Sequence, residues 1–189
     1  MATAGPNIAG TGTNGGFGGV SWTDPGNITA DDATRASVWL TTGTPESDYL
    51  VASNFGFSIP AGAAIDGVLV EVEARARTSP DDAYFSSPQL LSGGFTGSSG
   101  TGTVNSDLIA ATDTIYTNGG STDKWTIPTH LTPTNVNDSS FGYRLRVAVQ
   151  TIDQDVQVDQ VRITVYYTEA SGGARCVQTR QAVNRASSY

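Results

Sequence analysis

Carboxylates are the residues of this chain most closely grouped for chemistry. Asp31-Asp32, Asp81-Asp82 and the trio Asp153, Asp155 and Asp159 are the groupings. Acidic side chains gathered in loops can hold calcium, a hard cation that prefers oxygen. The spacing of an EF-hand loop is absent, however, and aspartates at such places also build turns by bonding the backbone. The turn reading outweighs the metal one, so no metal site and no cofactor are assigned. Glu71 and Glu73 stand two residues apart. Glycoside hydrolysis needs two carboxylates facing each other across a cleft. Neighbours on one strand, beside Arg75 and Arg77, read instead as a solvated face. His130 is the sole histidine and Cys176 the sole cysteine, which excludes a multi-histidine metal site, a cysteine zinc cluster and an internal disulfide. Trp22, Trp39 and Trp125 could line a sugar-binding surface, but tryptophans in a small β domain more often anchor a core or an interface. No catalytic residue is assigned, and the chain is not expected to be an enzyme.

The elements that would position these groups are strands. From Val68 the segment Gly67–Thr78 alternates. Val68, Val70, Val72, Ala74 and Ala76 share one face, and Leu69, Glu71, Glu73, Arg75 and Arg77 share the other. A side-chain period of two is that of a half-buried β-strand. Burial of each valine contributes about 1.5–3 kcal/mol. In Phe141–Thr151, Tyr143, Leu145, Val147 and Val149 alternate with Arg144, Arg146, Ala148 and Gln150. In Asp155–Thr168 the phase slips near Asp159-Gln160, which predicts a bulge or sheet corner. Ala36–Thr42 reads as a strand with Trp39 in the core. Ala83–Ser92 is a weaker one, interrupted by Pro88, as at an edge or a bulge. One helical turn is expected within His130–Asn137, with Thr134 as its N-cap. The outward Glu71 and Glu73 and the outward Arg144 and Arg146 predict that their two strands are antiparallel neighbours joined by ion pairs.

With 189 residues, 38% hydrophobic, 15% charged and 22 glycines, the chain suits one all-β domain. The expected architecture is a jelly-roll-like antiparallel β-sandwich of about eight strands, over residues 20–168. Residues 1–19, rich in glycine, are expected as a flexible N-terminal arm, with Ile8 and Phe17 as its contacts to a neighbouring chain. Residues 169–189 are expected as a basic C-terminal arm carrying Arg175, Arg180 and Arg185 as docking residues. Charge supports that division. Residues 1–168 hold 17 acids and 7 bases, whereas residues 169–189 set one acid against three arginines. A net charge of −8 argues against a nucleic-acid surface. No apolar run approaches membrane-spanning length and no signal peptide is seen, so a soluble protein made in a cytoplasm, with no membrane partner, is expected.

Several runs together carry a family resemblance. They are Ser21–Ile28 (Ser-Trp-Thr-Asp-Pro-Gly-Asn-Ile), Asn54–Ala63 (Asn-Phe-Gly-Phe-Ser-Ile-Pro-Ala-Gly-Ala), Ile65–Val72, Ser140–Tyr143 and Val161–Tyr167. The arrangement resembles a group of tailed-bacteriophage virion proteins with a jelly-roll-like β-sandwich. It covers roughly residues 20–168. The resemblance implies a structural part of the particle, such as a capsid decoration (cement) protein or a tail appendage. The expected role is decoration of the capsid surface, bound to the major capsid protein and to its own copies as a homotrimer. A carbohydrate-binding or receptor-binding module of a tail fibre is the alternative, with Trp125 and Tyr84 or Tyr116 as its aromatic platform. A glycan hydrolase is a third reading. The matching runs are turns and strands, so no catalytic residue is carried over.

Overall fold

The valine face of Gly67–Thr78 needs a second apolar layer to cover it, and the rest of the chain supplies one. The computed structural model describes residues 1–77, 82–99, 104 and 108–170. Among these residues are ten strands: β1 (Ala2–Ile8), β2 (Thr11–Gly15), β3 (Ala36–Leu40), β4 (Tyr49–Ser53), β5 (Ala64–Ala76), β6 (Ala83–Ser92), β7 (Phe95–Gly97), β8 (Thr114–Gly120), β9 (Gly142–Val149) and β10 (Gln154–Thr168). A 3-10 turn (Pro25–Ile28) and one short helix, α1 (Pro133–Val136), complete them. The first sheet runs β1-β10-β5-β8, with β3 also paired to β10, and the second runs β2-β4-β9-β6-β7. Every strand pairing is antiparallel. The protein is an all-β sandwich. No helix among the described residues is long and apolar enough to cross a membrane.

Val68, Val70, Val72, Ala74 and Ala76 all lie buried, as the alternation requires. Leu50, Ala52, Tyr143, Leu145 and Val147 join the same core from the second sheet. The phase slip in β10 is a bulge. Val158 pairs with Ala74 and Gln160 with Glu73, which leaves Asp159 as the extra residue. Val161, Ile163 and Val165 then regain the interior. The bulge also marks a change of neighbour. Before it, β10 carries β3 on its outer edge; after it, the same edge carries β1. Pro88 likewise sits at a bulge, between Ser86 and Gln89 of β6, where Ser87 takes a φ of 51°.

Four expectations need correction. The N-terminal segment is no arm: β1 extends β10 and β2 extends β4, so the sandwich begins at residue 2, not 20. Glycine there serves close packing. A Cβ on Gly12 would come within 2.0 Å of the Pro25 carbonyl oxygen, and one on Gly10 within 2.6 Å of that of Asn54.

The glutamate and arginine strands are not neighbours. β5 belongs to the first sheet and β9 to the second. Glu71 pairs with Arg162 of β10, Glu73 accepts from Gln160, and Arg146 pairs with Glu46. Alternation assigns a face to each side chain but does not choose which strand lies beside it.

Trp39 is exposed on the edge strand β3, because Val38 and Leu40 on either side take the inward face. Finally, the N-cap of α1 is Thr132, whose side chain accepts from the Asn135 N–H, with Pro133 opening the helix. Proline fits the first helical position because its missing donor has no partner there.

Candidate functional site

On the outer face of the second sheet, β9 presents Arg144 and Arg146 two residues apart, since Tyr143, Leu145 and Val147 take the inner side. β4 runs alongside and contributes Tyr49. The segment between β2 and the 3-10 turn lays Phe17 over them. The result is a ladder of alternating rings and cations. The Arg144 guanidinium lies 4.2 Å from the Tyr49 ring centre, and that of Arg146 lies 4.3 Å from Phe17. Phe17 meets Tyr49 edge to face, with centroids 5.4 Å apart. Each such cation–ring contact contributes about 0.5–2 kcal/mol, more as water is excluded.

Asp48 holds the rung that Phe17 forms. One carboxylate oxygen accepts from the N–H of Phe17 at 2.8 Å and of Gly19 at 3.0 Å, and the other accepts from the Ser21 hydroxyl. These donors, the Phe17 N–H foremost, hold the Asp48 carboxyl below its ordinary range against the opposing effect of burial. Gly19 is required here: a Cβ would meet the Ser47 carbonyl carbon at 2.4 Å. The Trp22 indole donates to the Asp48 carbonyl from below, at 3.0 Å.

The two arginines are used differently. Arg146 is almost wholly buried, donates to the Ser47 carbonyl at 2.8 Å and pairs with Glu46. It lines a cleft of about 380 Å³ with Gly18, Gly19, Val20, Thr44 and Pro45. Arg144 donates to the Gln89 side chain at 2.8 Å. Among the described residues it has no carboxylate partner, whereas Arg35, Arg75, Arg77, Arg146 and Arg162 each have one. It lines a second cleft, of about 270 Å³, with Leu91, Ser92, Phe95, Thr96 and Ser140. Phe95 is half exposed there, at the tip of the β6–β7 hairpin, and its ring stacks on His130 with centroids 3.5 Å apart. The face therefore offers two exposed aromatic anchors, Phe17 and Phe95, around a guanidinium able to receive a carboxylate. Arginine and aromatic side chains are the types that dominate binding energy at protein interfaces.

Of the residues expected to bind a partner, Phe17 belongs to this face. Ile8 does not: it lies across from Arg162 on the first sheet. Arg175, Arg180 and Arg185 lie outside the described residues. Arg144 and Arg146 are legible in the sequence only as outward residues of a strand, and nothing in the spacing of Tyr49 or Phe95 joins them to that face. The aromatic platform expected for glycan binding is not present, because Trp125 and Tyr116 are buried. The Trp125 indole donates instead to the Val68 carbonyl at 2.8 Å. The trio of aspartates is dispersed: Asp153 accepts from Thr42, Asp155 pairs with Arg77, and Asp159 is buried at the bulge.

No family model matches the chain. No curated protein matches it either. Among solved structures, the chain is similar to one crystallised with a xylogluco-oligosaccharide, at 15% identity and a TM-score of 0.43, over 84% of this chain. The match spans 38% of that chain's length.

Proposed function

We propose that this protein is a structural attachment module of a tailed-bacteriophage particle, a decoration protein that docks on the capsid and adds buried interface to the shell. One observation carries the docking part of this reading: the ring-and-arginine ladder on the outer face of the second sheet, with Arg144 awaiting a carboxylate. The family resemblance of residues 20–168 supplies the particle as the address. The function asks for no chemistry. Phe17 and Phe95 anchor against the major capsid protein, Arg144 receives an acidic side chain, and the Asp48 turn keeps Phe17 in place without a folding cost on binding. Contacts between copies, in a homotrimer, add to the same end.

The test is occupancy. Purified protein is added to particles that lack it, and bound copies are counted. Phe17→Ala and Arg144→Glu are expected to weaken binding at least tenfold while leaving the circular dichroism spectrum unchanged. Wild-type binding by both variants overturns the docking face, and failure of the wild-type chain to bind particles overturns the address.

A second reading draws on the Phe95 cleft, where a half-exposed ring is flanked by Ser92, Thr96 and Ser140 and by Arg144. Those groups suit an acidic sugar, as in a receptor-binding tip. Binding of the wild-type chain to acidic glycans on an array, lost in Phe95→Ala, would favour it over the decoration reading.

A further inference from the structure

β10 changes neighbours at its bulge, and the chain between the 3-10 turn and β3 fills the gap. Thr29 bridges Gln160 there. The Ala33 N–H reaches one oxygen of Asp159 at 3.4 Å. Three carboxylates meet at this point from distant parts of the sequence. Asp31, Glu73 and Asp159 each offer one oxygen, and these oxygens all lie within 4.8 Å of one another. We infer that this pocket is a binding site for a single calcium ion, held by the carboxylates of Asp31, Glu73 and Asp159.

Unsatisfied oxygens are the independent sign. Asp159 and Gln160 are each only 2% exposed, yet Asp159 Oδ1 and Gln160 Oε1 have no hydrogen-bond partner. Buried polar atoms are almost always paired, so an orphaned oxygen on a carboxylate of this cluster calls for a donor or a cation. The Gln160 amide donates from Nε2 to Glu73 Oε2 at 2.6 Å.

Charge agrees. Arg35 is the one cation acting on Asp159 from nearby; its two terminal nitrogens are bound to Asp113, at 2.9 Å, and to the Ala33 carbonyl, and only its Nε is without a partner. Three carboxylates thus meet a single guanidinium that already pairs with Asp113, which leaves negative charge in excess at this point. All the donors are oxygen, which selects a hard cation. Calcium accepts irregular cages of protein oxygens at ~2.3–2.6 Å, whereas magnesium demands near-ideal octahedral geometry and keeps most of its water, so carboxylates gathered from three separate segments suit calcium better.

Titration of the EDTA-treated full-length protein with calcium chloride, and separately with magnesium chloride, tests this. Calorimetry should give one calcium per chain, with magnesium at least tenfold weaker, and calcium should raise the melting temperature. Asp31 is exposed and in a loop, so Asp31→Asn should leave the metal-free protein folded and weaken calcium binding at least tenfold. Asp159→Asn should abolish it, with Glu73→Gln as a further check should that variant misfold. Absence of heat and of any melting shift at millimolar calcium overturns the site. So does wild-type calcium affinity in Asp31→Asn. The readout uses the isolated chain, so it stands or falls apart from capsid docking.

Discussion

Asp82 accepts the Thr151 hydroxyl at 2.6 Å across 69 residues of sequence. The same buried carboxylate takes the N–H groups of Gln150, Thr151 and Ile152 at 3.2, 2.9 and 3.0 Å. It thereby closes the turn between β9 and β10 from the start of β6. Hydrogen bonds to a charged group contribute about 1.5–3 kcal/mol each, less when several share one acceptor. Asp82→Ala should therefore lower unfolding free energy by about 3 kcal/mol, read from urea midpoints at unchanged slope.

The pH dependence follows from the same bonds. The Thr151 hydroxyl, with the three N–H groups, holds Asp82 below the ordinary carboxylate range, and the Phe17 N–H does the same for Asp48. The folded chain then binds these protons less tightly than the unfolded chain, whose aspartates titrate near pH ~3.9. The stabilisation is full above that pH and is lost as pH falls through the lower folded values. Urea midpoints should hold level down to about pH 5 and drop steeply below about pH 4. In Asp82→Ala the drop should be shallower; an identical slope would remove Asp82 from the account.

Phe17 and Arg146 touch, yet their truncations should differ. Phe17 is 61% exposed, whereas Arg146 is 6% exposed. Phe17→Ala should change stability by less than about 1 kcal/mol, and Arg146→Ala should cost about 2–3 kcal/mol through lost packing and the orphaned Ser47 carbonyl. Thermal melts of the two variants decide this.

Of the three tryptophans, Trp39 alone is exposed. Acrylamide should quench one component of the native fluorescence, and Trp39→Phe should remove it. Stability should move by no more than about 0.5 kcal/mol. A quenchable component that survives the substitution would place Trp22 or Trp125 at the surface.

Deleting residues 1–15 separates a strand from an arm. The deletion strips β1 from β10 and β2 from β4, so it should lower the melting temperature and promote association through the bared strand edges. A loose arm would leave both unchanged. Differential scanning and light scattering read the two effects.

The core was legible in the sequence wherever one side of a strand is apolar. β5, β9 and the slip in β10 all announce themselves through the spacing of their valines. β1 and β2 do not, since edge strands of glycine, threonine and asparagine are held by backbone bonds that leave no mark on side-chain order. The ladder of Phe17, Arg146, Tyr49 and Arg144 was hidden for a related reason. Period two tells that the arginines face out, but the ring lying on them comes from a glycine-rich segment 129 residues earlier. The carboxylate cluster of Asp31, Glu73 and Asp159 draws on three separate stretches, each of which reads alone as a turn or a solvated face.

β1 and β10 run antiparallel with Ala2 opposite Tyr167, so the two ends of the sandwich leave from one corner. Tension applied between those ends would peel the first strand away rung by rung, the weakest way to load a β ladder. A sandwich of this topology is better held by its broad flank, where force is shared across many bonds at once.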